Sequence, residues 1–486
     1  MNYRLILRYI GDFTLADGLF MLPALLIGLY CGETASVYAF AVTIFLCMAV
    51  GFLLTRVRSE DRIQPRESFA IVALGWIIMS LFGALPFLLS GSDSNYIDCF
   101  FETVSGFTTT GSSIFTQVEN LSRSILYWRS FTHWVGGMGV LVFLLGIVPQ
   151  ARGNGESLYL MQAESPGPSV GKLTPTIRKT ARALYTIYLV MTLIEIVMLI
   201  AGGMPVFDSV THAFGTAGTG GFSIKNASIA AYDSTYLQMV IGVFMALFGV
   251  NFSVYYLLLT RQVHAALHND EFRAYWGILL GSSLLIGLNI LPMYAGREGY
   301  AFRDSFFQVS SIMTTTGYAT ADFNLWPQMS RYLLVILMII GASAGSTGGG
   351  IKVSRLLLLI RYLKVQMQQM LHPRRVNLIR LDKKTVEDTV MKGTMAFFVA
   401  YSLICVISMF IVSLDNFDLE STATAVFACI NNIGPGLGIV GPTGNFSRFS
   451  NLSKIVLSID MLLGRLEIFP LLLLAAPSMW KRRSGR

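Results

Sequence analysis

Ser105-Gly106-Phe107-Thr108-Thr109-Thr110-Gly111 decides the fold, because the chain returns to the same plan three more times. The counterparts are Gly218-Thr219-Gly220-Gly221, Thr314-Thr315-Thr316-Gly317 and Asn431-Asn432-Ile433-Gly434. Asp98, Asp208, Asp304 and Ser421 each lie 13 residues before the closing glycine, and apolar stretches flank every unit. A helix begun at those N-cap-type residues has at most 12 residues before its loop, too few to span a bilayer. Such a segment dips in and returns only where protein or water surrounds it, and four of them can surround one another.

The rest of the chain agrees with a membrane setting. Of 486 residues, 53% are hydrophobic and 13% charged, and the mean hydropathy is +0.59. That balance excludes a soluble globule. The first apolar stretch, Gly18 to Gly32, lacks a convincing cleavage site and runs straight into a second, so it reads as a retained helix rather than a signal peptide. The five cysteines and five histidines are scattered, with neither a disulfide framework nor metal-ligand spacing. No cofactor is expected. With the N-terminus inside and ten full spans, 27 of the 36 Lys and Arg residues fall on inner segments, which places both termini on the cytoplasmic side. Basic runs such as Arg374-Arg375 and Lys481-Arg482-Arg483 then read as stop-transfer and lipid-facing charges, with a docking surface second, and no nucleic acid is implied.

The expected architecture is an all-α polytopic membrane protein. A two-helix hairpin (1–60) precedes four tandem repeats of outer helix, pore helix, filter and inner helix: 66–152, 178–264, 272–364 and 388–486. The repeats share one orientation, unlike the inverted halves of many secondary transporters, and are expected in pseudo-fourfold array. A dehydrated cation needs oxygens in place of its water shell, and a backbone aims carbonyls at one axis only where some residues adopt glycine-like dihedrals. Short-helix C-termini add partial negative charge. The candidate ion-binding set is therefore Thr109, Thr110, Gly111, Thr219, Gly220, Gly221, Thr315, Thr316, Gly317, Asn432, Ile433 and Gly434. Gly218 and Gly220 beside Gly221 leave the second loop's register open by one residue, and the fourth loop lacks threonine.

Five of the ten residues Gly341 to Gly350 are glycine, each costing a helix interior about 1 kcal/mol relative to Ala, so the third inner helix should break there. The expectation is an obstructing loop over 341–351 beneath the filter that moves to open it. The competing reading, a tight packing face, fits Gly136-Gly137-Met138-Gly139 better. Arg465 in the last span either faces the pore as a brake or pairs with another helix; its spacing argues against pairing with Glu467. Glu195 and Asp460 carry the same ambiguity, Glu102 reads as helix-satisfying, and Asn251 as an interhelical hydrogen-bond residue.

These loops, with Gly345-Ser346-Thr347-Gly348-Gly349-Gly350-Ile351-Lys352 and Gly464-Arg465-Leu466-Glu467, resemble the potassium-uptake superfamily that includes Trk, Ktr and plant HKT proteins, over nearly the whole chain. The N-terminal hairpin is similar to the bacterial Trk-type pore subunit. The resemblance implies potassium uptake across a bacterial inner membrane, with rubidium tolerated and K+ held at the filter residues. It implies gating by Gly345, Ser346, Thr347, Gly348, Gly349, Gly350, Lys352 and Arg465. It further implies a homodimer in the lipid bilayer and a cytosolic nucleotide-binding regulatory subunit of the TrkA kind. Glycine in all four loops agrees with potassium preference. A proton- or sodium-coupled symporter on the same fold stays open. An enzyme would need a nucleophile with a base, paired carboxylates or a metal cluster, and no such convergent set is visible.

Overall fold

The computed structural model describes residues 1–57, 63–137, 139, 177–373, 378–382 and 384–480. Met138, most of the segment that follows it, Arg374-Arg375 and Lys481-Arg482-Arg483 lie outside the described residues. The described residues are helical apart from connecting segments and one small hairpin, in which Arg380–Leu381 pairs antiparallel with Lys384–Thr385.

The chain opens with a bent helix, Tyr3–Phe20 then Leu22–Cys31, where Pro23 in the first turn of the second part ends the first part's hydrogen-bond ladder. Gly32, at φ 73°, closes it. Thr34–Thr55 returns antiparallel, with Gly11 and Gly51 facing each other so that the backbones approach closely.

Four units follow. Their outer helices are Pro65–Gly83 with its continuation Leu85–Leu89, Ile177–Ala201, Asp270–Ile290 and Asp388–Val412. Their short helices are Tyr96–Phe107, Val206–Gly218, Glu298–Met313 and Leu419–Ile430. Their inner helices begin at Arg123, Thr235, Gln328 and Asn451.

Two expectations need correction. The short helices have 12, 13, 16 and 12 residues, and their N-caps are Asn95, Pro205, Arg297 and Asp418 rather than Asp98, Asp208, Asp304 and Ser421. The four expected caps lie inside the helices and tie each one to neighbouring structure: Asp98 accepts from Lys454 Nζ (2.7 Å), Asp208 from the Tyr232 hydroxyl (2.7 Å), Asp304 from the Tyr294 hydroxyl (2.9 Å), and Ser421 Oγ from the Ile439 amide (3.0 Å).

Ten uninterrupted spans are also not found among the described residues. Six helices among the described residues are long and apolar enough to cross a membrane, or seven if the bent pair Thr235–Phe248 and Phe252–Leu259 is one span. The first inner helix reaches the edge of the described residues at Gly137, and the other three are broken. The second turns through 91° between Phe248 and Phe252, the third stops at Ile340 and resumes at Val353, and the fourth stops at Arg465 and resumes at Phe469. The break expected in one inner helix occurs in three.

Candidate functional site: a ring of four loops and the segment beneath it

Every short helix ends in one device. Thr109, Thr219, Thr315 and Asn432 have φ of 57°, 54°, 62° and 55°. Each amide bonds three residues back, and the next amide bonds five back: Thr110 to Ser105 O (2.8 Å), Gly220 to Gly215 O (2.8 Å), Thr316 to Ser311 O (2.8 Å) and Ile433 to Ala428 O (2.9 Å). This is the Schellman arrangement, with Thr or Asn in the left-handed place usually given to glycine. Two residues on, Gly111, Gly221, Gly317 and Gly434 are again left-handed, at φ 84°, 76°, 87° and 96°. A β-strand turns successive carbonyls to opposite sides; left-handed residues at alternate positions undo that, so neighbouring carbonyls can face one way. The second loop's register is thereby settled, with Thr219 and Gly221 in the places of Thr109 and Gly111.

The loops meet in cyclic order. A Cβ on Gly111 would collide with the carbonyl oxygen of Gly220, one on Gly221 with that of Thr316, one on Gly317 with that of Ile433, and one on Gly434 would lie 2.9 Å from that of Thr110. Each closing glycine is thus approached by the equivalent carbonyl of the next loop, and the fourth loop returns to the first. Asn432 Nδ2 spans that last junction to Thr110 Oγ1 (3.0 Å), as does Ser112 Oγ to Gly434 O (3.1 Å).

The second loop's missing threonines have a steric cause. A Cβ on Gly220 would strike the His133 ring, and one on Gly218 the His133 backbone carbonyl. His133, from the first inner helix, is buried, stacks on Phe222 at 4.2 Å and fills the space that Thr108 and Thr110 occupy with their own paired hydroxyls in the first loop (2.8 Å).

Residues at one helical position tie three of the four short helices to their returning segments, the fourth having Ala425 there. Glu102 accepts from Ser113 Oγ (3.0 Å) and the Ile114 amide (2.9 Å), His212 Nε2 meets Ser223 Oγ (3.0 Å), and Gln308 Nε2 donates to Ala321 O (3.3 Å). Glu102 therefore does not satisfy its own helix. It forms a buried ion pair with Arg129 (2.7 Å), whose other nitrogens reach Ser113 Oγ and Ser223 O, joining the first loop to the second.

Beneath the ring, 341–352 leaves helical geometry, with Gly341, Gly345, Gly350 and Lys352 at φ 72°, 68°, 79° and 84°. It lies against the short-helix ends. The Gly349 amide donates to Thr315 Oγ1 (2.7 Å), a Cβ on Gly349 would meet the Asn431 carbonyl, and one on Gly348 would lie 2.7 Å from the Thr314 carbonyl. Lys352 Nζ folds back to Gly348 O. Arg465 donates to Thr347 O (3.0 Å), to Gly136 O and to Gly137 O (2.7 Å), so its guanidinium joins this segment to the end of the first inner helix. Glu467 pairs with Arg355 rather than Arg465. Asn251 makes the interhelical bond expected of it, to Glu271, and also caps Phe252–Leu259 through Ser253 N (2.9 Å).

The structure thus brings the four loop sets together around one centre and sets the 341–352 residues and Arg465 directly below. Sequence reading missed Arg129, His133, Arg355 and Glu271. Arg129 and His133 lie in an ordinary-looking apolar helix, and Glu271 looks like a first-turn acid; only the long-range packing reveals them. Among the described residues no group of three or more His, Cys, Asp or Glu side chains could hold a metal ion.

Comparison with known proteins adds an independent line. Residues 36–482 match the family model described as TrkH, cation transport protein. The chain is 35% identical to the Trk system potassium uptake protein TrkH of Salmonella typhimurium, covering 99% of this chain and 100% of that one. It is 33% identical to the Trk system potassium uptake protein TrkG of Escherichia coli, covering 99% of each. The crystal structure of the potassium transporter TrkH from Vibrio parahaemolyticus superposes with a TM-score of 0.88 at 34% identity, covering 99% of this chain and 100% of that one.

Proposed function

This chain belongs to the TrkH family of cation transport proteins, and on that premise we propose that it takes up potassium through the ring of four loops. It is a transporter and not an enzyme. The observation that carries the reading is the cyclic approach of equivalent carbonyls to Gly111, Gly221, Gly317 and Gly434. Backbone oxygens at Thr109, Thr110, Gly111, Thr219, Gly220, Gly221, Thr315, Thr316, Gly317, Asn432, Ile433 and Gly434 replace the water of a potassium or rubidium ion, with no charged side chain in any of the loops. Purified protein in liposomes should carry rubidium in preference to sodium. A Gly111→Ser variant should lose that preference, because its Cβ meets the Gly220 carbonyl and its φ leaves the left-handed region. Unchanged ion preference in the variant overturns the reading.

The segment 341–352 is the gate in this proposal. Gly345, Ser346, Thr347, Gly348, Gly349 and Gly350 obstruct the path, while Lys352 and Arg465 hold the obstruction through Gly348 O and Thr347 O. Deleting Ser343 to Gly350 should raise rubidium flux at least several-fold; folded protein with flux at or below the parent's overturns the gate. The four repeats at 66–152, 178–264, 272–364 and 388–486 behind the hairpin 1–60 form one pore per protomer. In this proposal the excess of Lys and Arg on inner segments puts both termini on the cytoplasmic side of a bacterial inner membrane. Two protomers and a cytosolic nucleotide-binding regulatory subunit complete the assembly.

One feature favours coupled transport as a second reading. Asp460, 1% exposed in the fourth inner helix, accepts from Ser408 through Oδ1 (2.8 Å) while Oδ2 meets no hydrogen-bond donor among the described residues. A proton carried there would satisfy that oxygen. Uptake that follows an imposed pH gradient in the parent and not in Asp460→Asn is the expected signature of coupling.

A further inference from the structure

The breaks in the second and third inner helices complete each other. Where the second turns, it exposes carbonyls of its last helical residues and an unpaired amide, groups that are costly at membrane depth. The third supplies the partners. Ser343 N donates to Gly249 O (3.1 Å), Thr347 Oγ1 to Phe248 O (3.3 Å), and Phe252 N donates to Gly345 O (3.0 Å). One side chain pins this junction. Glu271, in the first turn of the third outer helix and 4% exposed, accepts through Oε1 from both the Ala344 amide (2.7 Å), inside the non-helical segment, and the Ser354 amide (3.0 Å), in the first turn of the helix that resumes after it. Its Oε2 accepts from Asn251 Nδ2 (3.4 Å), and the Asn251 carbonyl oxygen is occupied by the Ser253 amide (2.9 Å). Asn251 thus cannot turn its amide over without losing the cap of the helix that resumes there.

We propose that the two breaks form a single gate, and that Glu271, with Asn251, is the positioning residue that locks it shut. This rests on the reading of 341–352 as an obstruction. The segment cannot leave the axis while Oε1 ties Ala344 within it to Ser354 of the following helix, and it cannot leave without stripping the second inner helix of the partners of its broken backbone. Opening therefore moves both helices together. Glu271 touches no ion; it acts through the backbone it holds.

The hydrogen-bond polarity provides the test. Glu271→Gln keeps the shape and one acceptor but sets an NH2 group against the NH2 of Asn251, while Asn251→Asp sets two carboxylates together and keeps the cap. Glu271→Gln with Asn251→Asp restores a donor facing an acceptor. Rubidium flux into liposomes holding the purified full chain, with no regulatory partner, is compared across the four proteins, each checked for monodisperse elution. Each single variant should raise resting flux about tenfold, the shift expected when a hydrogen bond to a charged group is lost from one of two states. The double variant should return to within about twofold of the parent, additivity failing as it does for contacting residues. Folded single variants with unchanged or lower flux, or a folded double variant that keeps the single variants' flux, overturn the lock. Rubidium flux absent from all four proteins overturns the uptake reading itself, and the lock with it.

Discussion

His133 shows how one side chain accounts for a departure in the repeated pattern. Its ring stands against Gly220 and its backbone carbonyl against Gly218, so both are glycines for want of room and not for their dihedrals; only Thr219 and Gly221 in that loop are left-handed. Gly220→Thr should cost about 1–3 kcal/mol by overpacking, read as a lowered Tm in detergent, and His133→Ala in the same background should recover part of it. The Glu102–Arg129 pair gives a second residue-level expectation. Both side chains are buried, and removing one partner of such a pair costs about 3–5 kcal/mol because the other charge is stranded. Arg129→Ala should therefore destabilise far more than Arg129→Ala combined with Glu102→Gln, a comparison thermal unfolding can make. The left-handed positions at the closing glycines were legible in sequence because glycine declares them. Those at Thr109, Thr219, Thr315 and Asn432 were not, since threonine there contradicts its own preference and only the shared helix-ending hydrogen bonds impose it.

At the scale of elements, three of the four outer helices were readable as long charge-free runs, the second carrying Arg178, Lys179, Arg182 and Glu195, and the short helices from their repeated spacing. The breaks were not, except where glycine is dense. Ile468 illustrates why: it stands at φ 71° beside Glu467 at φ 53°, immediately before the helix that carries Pro470 in its first turn. Proline forbids continuation of the preceding ladder, and the strain in Ile468, about 1–2 kcal/mol, is outweighed by burial of its side chain among Phe397, Tyr401 and Leu463. Ile468→Gly relieves the strain but forfeits a buried aliphatic group worth about 2–5 kcal/mol. The net expectation is a lower Tm, by the equivalent of about 1–3 kcal/mol. A higher Tm would show that strain, not packing, dominates this bend. The N-caps were misjudged for a related reason, because acids within the first two turns resemble caps until their actual partners, Lys454, Tyr232 and Tyr294, are seen.

Over the whole molecule the ring closes on itself between its first and last quarters. Asn432 to Thr110, Ser112 to Gly434 and Lys454 to Asp98 join residues 322, 322 and 356 positions apart, and the Phe446 amide adds a bond to Ser113 O (2.9 Å). Asn432→Ala, which also removes a bond to Met461 O, should loosen this seam. Its expected readout is a weakened rubidium preference over sodium, together with about 1–2 kcal/mol of lost stability. The fourfold plan was legible because it recurs locally, whereas the pairing of its ends depends on contacts no sequence window contains. That late seam bears on biogenesis. On the proposed reading of the ring as the ion path, a chain still emerging from the ribosome has inserted three quarters of its wall and no enclosed conduit, so the membrane's voltage meets no half-made leak while synthesis proceeds.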